Sequence, residues 1–450
     1  MRSKVATSKR MENSFRGGVS VPGTRRFRRV ALGVVGSFSD ISGYFMAKYL
    51  FGSHVYASED ESWQRVLQKA HVSKIRPSCQ CLRLEAAPQL YIAMARGQYM
   101  IKRMPYTGPL HAPHCEHYEP PPELSGLGQV NGSAIREELE TETTTLALDF
   151  ALTKGRSRPL GTASEVEHES VRSDGTKLTM RGLLHYLYDD AGLTRWTPAM
   201  DGKRSWFIVR RELLRAAFSK QTKGRHLPDL LYIPENFSLD RQEEIKSRQI
   251  DSLSALSGAT TARMLLIGEV KVLDEARFGK ALIIKHMPDL KLMVTDDMAR
   301  HLITRFAQQL QLWGQLETTH LVVLGTISRS AQGVFSLESA CLMNVNSQWI
   351  PFENAFEWEL LEKLHGQSRK FVKGLRYNLA SSKPLASVVV QDTGDASTAL
   401  FLVPQEFESA YNSAIDELSQ QTAMKAWIWH TGTQGLPPLP ERMVGRNERP

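Results

Sequence analysis

Met264-Leu-Leu-Ile-Gly-Glu-Val-Lys-Val-Leu273 and Lys280-Ala-Leu-Ile-Ile-Lys-His286 are two apolar runs rich in β-branched residues, separated by a short segment containing Phe278-Gly279. They read as the two arms of a β-hairpin. Downstream the period changes: Asp296 to Trp313 places Met298, Leu302, Phe306, Leu310 and Trp313 on one side of a single helix. His320 to Ile327, Ala340 to Val345 and Trp349 to Phe352 read as strands, and Ala355 to His365 as a helix closed by Gly366. Beyond Phe371, strands are expected at Pro384 to Asp392, Thr398 to Val403 and Lys425 to His430, with a helix at Glu406 to Gln420. Strands interleaved with long helices predict an α+β, multi-domain chain.

Upstream of the hairpin the pattern is helical. Met180, Leu183, Leu184 and Leu187 fall at i, i+3, i+4 and i+7 within Leu178 to Asp190, and His185 is expected on the outer side of that helix. A second helix, Ser205 to Phe218, buries Trp206, Val209, Leu213 and Ala216, with Arg204, Arg211 and Arg215 opposite. Residues 203–225 hold eight bases against Glu212. Two helices joined by a turn, the second basic, are the outline of a helix-turn-helix or winged-helix DNA reader, which makes Lys203, Arg204, Arg211 and Arg215 candidate nucleic-acid contacts. The same outline fits a solvated helix facing an acidic partner. Residues 116–170 supply one, with eleven acids and four bases, and are expected to form a flexible connection with a strand at Thr145 to Leu152 and a polar linker at Lys154 to Asp174.

Composition bounds the rest. At 450 residues, 42% apolar and 23% charged, the chain is neither disordered throughout nor collagen-like. Its net charge of +8 comes from residues 1–30, where nine bases face Glu12 alone; the remainder is neutral. No run of 18 apolar residues spans a membrane. The apolar stretch from Val30 is interrupted by Asp40, and four cysteines are too few for a disulfide scaffold, so a cytoplasmic, reducing location is expected. Met46-Ala-Lys-Tyr-Leu-Phe-Gly52 reads as a second start that would omit the basic tail.

Three of those cysteines cluster. Cys79-Gln80-Cys81 and His111-Ala-Pro-His-Cys115-Glu-His117 flank two strands, Gln89 to Ala95 and Gln98 to Arg103, joined around Arg96-Gly97. Two ligand-bearing turns gathered by a hairpin suit a tetrahedral zinc: Cys79, Cys81, His111 and Cys115, with His114 or His117 as alternate nitrogen ligands. With all four positions taken by protein, the site is expected to be structural. Cys341 has a core context.

Catalytic signals are sparse. A magnesium-dependent nuclease of the restriction type gathers two carboxylates and a lysine at a sheet edge. Asp229, Glu269 and Lys271 are the residues that could supply them, although Glu-x-Lys on a hairpin is also a common ion pair. The C-terminal block has the strand-strand-helix-strand outline of a nuclease core, yet Ala399-Leu-Phe-Leu-Val403 lacks the acids and lysine that core requires. No phosphate loop, nucleophile elbow or His-Glu-x-x-His helix occurs, and no small-molecule cofactor is indicated.

Several linked segments resemble one bacterial family, the domain of unknown function 1173. They are Arg76-Pro-Ser-Cys-Gln-Cys81, Ile101-Lys-Arg-Met-Pro105, His111-Ala-Pro-His-Cys115, Pro121-Pro-Glu-Leu-Ser-Gly-Leu-Gly-Gln129, Arg181-Gly-Leu-Leu-His-Tyr-Leu187, Gly202-Lys-Arg-Ser-Trp206, Ile350-Pro-Phe-Glu-Asn354 and Phe371-Val-Lys-Gly-Leu-Arg-Tyr-Asn378. The resemblance covers about residues 46–440, and residues 1–45 depart from it. It implies encoding on conjugative elements and plasmids, and brings no catalytic residues with it. The expected organisation is a basic tail (1–45), a zinc-binding hairpin module (46–125), an acidic strand and linker (126–176), a helical, helix-turn-helix-like part (177–260), a mixed α/β part (261–366) and a degenerate nuclease-like block (367–440). The expected role is a zinc-stabilised accessory protein that binds DNA, or other proteins of the mobile element, rather than an enzyme.

Overall fold

The computed structural model describes residues 47–82, 87–95, 98–153, 175–256, 262–276, 279–394 and 396–443. They belong to one unit, Gly43–Pro450. The basic tail, the Arg96-Gly97 turn, the linker Lys154 to Asp174 and Phe278 lie outside the described residues.

Along the chain, β1 (Lys48–Phe51), β2 (His54–Ala57) and β3 (Ser78–Cys79) form an antiparallel sheet. Helix α1 (Trp63–Val72) lies between β2 and β3 in sequence. The expected hairpin follows as β4 (Leu90–Ala95) and β5 (Gln98–Arg103), paired from Leu90↔Arg103 to Ala95↔Gln98. A small core closes this part: Tyr49, Phe51, Leu67, Ala70, Cys79, Leu90 and Ile92.

Part of the segment read as a flexible connection is folded. Helix α2 (Leu127–Val130), β6 (Ile135–Glu138) and β7 (Thr143–Leu146) bury Val130, Ile135, Leu146 and Leu148. The strand expected at Thr145 to Leu152 ends at Leu146; its acidic neighbours face outward while its apolar residues face in, which a charge tally cannot distinguish. Helices α3 (Met180–Asp190) and α4 (Trp206–Ala217) pack together, with β8 (Arg195–Trp196) between them in sequence. Thr179 caps α3 by accepting from the Gly182 N–H. His185 is buried, contrary to the outer position expected: its Nδ1 accepts the Tyr377 N–H at 3.0 Å. Strands β9 (Lys220–Thr222) and β10 (Arg225–His226) extend the β6-β7 sheet in the order β10-β9-β7-β6.

After β11 (Leu231–Tyr232) and α5 (Gln242–Leu253) comes the hairpin that anchors the fold, β12 (Met264–Glu275) and β13 (Lys280–Ile284). Gly279 makes its turn at φ +74, where a Cβ would lie 2.3 Å from the Val294 carbonyl oxygen. Strand β14 (Lys291–Val294) follows, then α6 (Asp296–Arg305) and α7 (Ala307–Gln315). The single helix expected here is two, because Phe306 turns its backbone to φ −111, ψ 28 and buries its ring at the break. Strands β15 (His320–Arg329) and β16 (Phe335–Val345) are each longer than the periodicity indicated.

These strands close on themselves. β12 pairs with β13, β13 with β14, β14 in parallel with β16, β16 with β15, and β15 back with β12. The closed ring is a five-stranded barrel. A register shift between Val270 and Val272 bends β12, so that its first half pairs with β15 and its second with β13. Leu265, Ile267, Ile284, Leu292, Val323 and Leu337 belong to the core built around it.

β17 (Pro351–Phe352) pairs with the end of β16. Helix α8 (Ala355–Gly366) is capped by Asn354. The C-terminal block contains β18 (Phe371–Lys373), β19 (Ala386–Val390), β20 (Thr398–Pro404), α9 (Glu408–Thr422) and β21 (Lys425–Thr431), in a sheet ordered β21-β20-β19-β18-β8. Asp392, buried just beyond β19, is paired with Arg369 at 2.8 Å.

Candidate metal centre

Cys79 ends β3, opposite Tyr49 on β1, and its N–H is held by the Pro88 carbonyl. Two residues on, Cys81 leaves the sheet toward the turn that carries His111 and Cys115. His111 ends the short helical turn Gly108–Leu110, and the Cys115 N–H donates to the Ala112 carbonyl at 2.8 Å. These two folded ends bring one ligand atom from each of Cys79, Cys81, His111 and Cys115 within 4.8 Å of one another.

The spacings can be compared with a metal site. Zinc at about 2.3 Å from sulfur and about 2.0 Å from nitrogen, in a tetrahedron, sets sulfur–sulfur edges near 3.8 Å and sulfur–nitrogen edges near 3.6 Å. The Cys79 and Cys115 sulfurs are 3.6 Å apart, and His111 Nδ1 lies 3.5 Å from Cys81 and 3.7 Å from Cys115. A disulfide would need about 2.05 Å. Backbone N–H groups of Ala112 and His117 point at the Cys81 and Cys115 sulfurs at 3.5 and 3.4 Å, as donors that stabilise thiolates do. The Cys81 thiol is driven well below its ordinary value by its hydrogen bonds to Cys115 and Cys79. Cys115 is driven up by its hydrogen bonds to Cys79 and Cys81. Three crowded sulfurs cannot all ionise alone, and a dication removes that conflict.

Among the three histidines proposed for the nitrogen ligand, the fold selects His111. His114 is exposed, and His117 Nε2 faces the Tyr49 hydroxyl at 3.0 Å, outside the cluster. The residues therefore form a Cys3His group able to hold a metal ion.

The nuclease residues are not gathered. Exposed Asp229 ends a short helical turn before β11, whose Leu231 pairs with Leu265, four residues before Glu269 along β12. Lys271 is exposed at the bend in β12 while Glu269 is buried, so the two do not share a face. Glu269 is instead engaged by the Lys285 ammonium and His320 Nδ1, both at 2.8 Å, with His286 at 3.6 Å. Burial raises its pKa, but these contacts outweigh burial and hold the carboxyl well below the usual range. Trp349 stacks on His320 and Trp206 on His286. Sequence spacing gave no sign of this cluster, because its members come from five separate segments.

The basic stripe is also redistributed. Arg204 is turned inward and donates to the carbonyls of Leu193 and Gln348 at 2.8 and 3.2 Å, which removes it from the solvent-facing stripe. Arg211 and Arg215 both pair with Glu212, and Lys203 is exposed. Lys220 is buried against Asp190 at 2.9 Å.

A mixed α/β architecture with a Cys3His cluster defines the molecule at the level of class. The model of the family described as a protein of unknown function, DUF1173, matches residues 49–432, and the chain belongs to that family. No curated protein and no solved structure matches it. Among the described residues, no helix is long and apolar enough to cross a membrane.

Proposed function

We propose that the chain is a zinc-stabilised nucleic-acid-binding protein of a bacterial mobile element, working in a reducing cytoplasm that keeps its thiols available to the metal. The observation that carries the partner is the barrel. Its ring order β12-β13-β14-β16-β15, with helices between the third and fourth strands, is the connectivity of OB barrels, which present the face of their second and third strands to oligonucleotides. On that pair Lys291 is exposed, Ile283 and Met293 are half-buried, and half-exposed Lys285 follows directly. The Cys3His spacing supports zinc, in a structural role because protein supplies all four ligands. The mobile-element setting is carried by what the sequence resemblance implies for the family.

Anisotropy with labelled single-stranded and duplex 20-mers, across a salt series, tests the partner. The expected result is single-strand binding that weakens as salt rises and is reduced by Lys285→Glu with Lys291→Glu. No binding of either form at low salt would overturn the reading.

A further inference from the structure

A cleft of about 400 Å³ opens between the β4-β5 hairpin, the β6-β7-β9 sheet and the end of α4. That volume suits a small organic ligand. Neither the metal centre nor the barrel face uses it.

Its lining sets four cations, Lys102, Arg103, Arg215 and Lys220, against three carboxylates, Glu116, Glu137 and Asp190. Lys102 on β5 stands opposite Tyr91 on β4, and both line the cleft. The Lys102 ammonium has three donors, and among the described residues its one hydrogen bond is to the Ser219 hydroxyl at 2.6 Å. No carboxylate lies within ion-pair distance of it among those residues. Asp190, the nearest built counter-charge on the lining, is taken by Lys220, whose ammonium also lies 5.2 Å from the Tyr186 ring centre. Burial first, and then the Lys220 charge, push Lys102 down to about 8. Across the cleft, Glu137 is exposed and, among the described residues, forms no ion pair. Burial also holds the Tyr91 hydroxyl in its neutral, donating form. An ammonium and a phenol from paired positions of one hairpin thus line space that an oxyanion can enter. Trp63 and Tyr99 complete the wall with flat apolar surface, and Arg215 adds a cation held by Glu212 at 3.0 Å.

We infer that this cleft binds a small phosphate ester bearing a flat ring, of nucleoside-monophosphate size, with the phosphate on Lys102 and the ring against the aromatic wall. An oxyanion offers acceptors to the spare Lys102 donors, and charge-assisted hydrogen bonds of this kind are the strong ones. The ring gains stacking area that inorganic phosphate lacks.

Calorimetric titration of the full, zinc-loaded chain with AMP, inorganic phosphate and adenosine tests this. AMP should bind saturably and at least about tenfold more tightly than either fragment, and Lys102→Met should lower AMP affinity by at least about tenfold. The exposed Lys246→Met, outside the cleft, should leave it unchanged. In the unmutated protein, AMP should also slow acetylation of Lys102 by acetic anhydride, read by peptide mass spectrometry; this needs no variant to fold. Absence of AMP binding, equal affinity for phosphate and AMP, or undiminished Lys102 acetylation would each overturn the inference. Oligonucleotide binding at the barrel should survive Lys102→Met, so the two readings fail separately.

Discussion

The metal module and the barrel solve the same problem at different scales. The module around β1, β3 and the β4-β5 hairpin closes over seven buried residues, one of them the ligand Cys79. The barrel is embedded in one larger core that draws on residues from Val130 to Tyr377. A small core cannot offset the conformational entropy of the chain it orders, whereas a continuous one can. The contrast predicts that a metal held by the Cys3His group stabilises the small core, whereas the barrel stands on apolar burial alone.

The sharpest way to break this comparison is to remove the metal. Purified protein should hold about one zinc per chain. Changing Cys79 or Cys115 to serine should abolish it and destabilise the module by several kcal/mol, because binding energy at such sites is folding energy. Retention of full thermal stability without metal would end the contrast. A core truncation gives the next largest effect. Leu324→Ala, in a fully buried position on β15, should cost about 2–5 kcal/mol and leave zinc content unchanged. Equilibrium denaturation together with metal analysis checks both halves of that statement. The smallest effect is acid sensitivity in the large core. Burial depresses the His185 pKa to about 3, so its neutral form contributes stability above the unfolded value near 6.5 that is lost as pH falls toward 3. Between pH 6 and 4, unmutated protein should lose about 1.4 kcal/mol per pH unit more than His185→Gln. Parallel curves for the two proteins would show that His185 does not titrate as its burial requires.

Much of the metal centre was legible because ligand chemistry restricts residue type: three cysteines and a histidine-rich turn in one window leave few readings. The alternates His114 and His117 could be separated only by direction, one facing solvent and the other Tyr49. Helices α3 and α4 followed from apolar spacing, and α8 from the glycine, Gly366, that closes it. Barrel closure was not legible. It depends on Met264↔Ile327 and Met293↔Ser336, pairings between distant segments that leave no local period. The fate of cations was hidden for a related reason. Arg204, Lys220 and Lys102 count equally in a charge sum, yet one binds carbonyls, one is buried on Asp190 and one lines a cleft.

Closure of the barrel has a consequence in time. Strand β12 is made some 50 residues before β15, the partner that seals one of its edges. At about 5–20 residues per second, that interval lasts roughly 3–10 s. Throughout it the apolar strip Met264 to Val270 has β13 and β11 to pair with on one side only. During synthesis, an exposed β12 edge is therefore the point at which the nascent chain is most open to wrong pairing, and most in need of a chaperone.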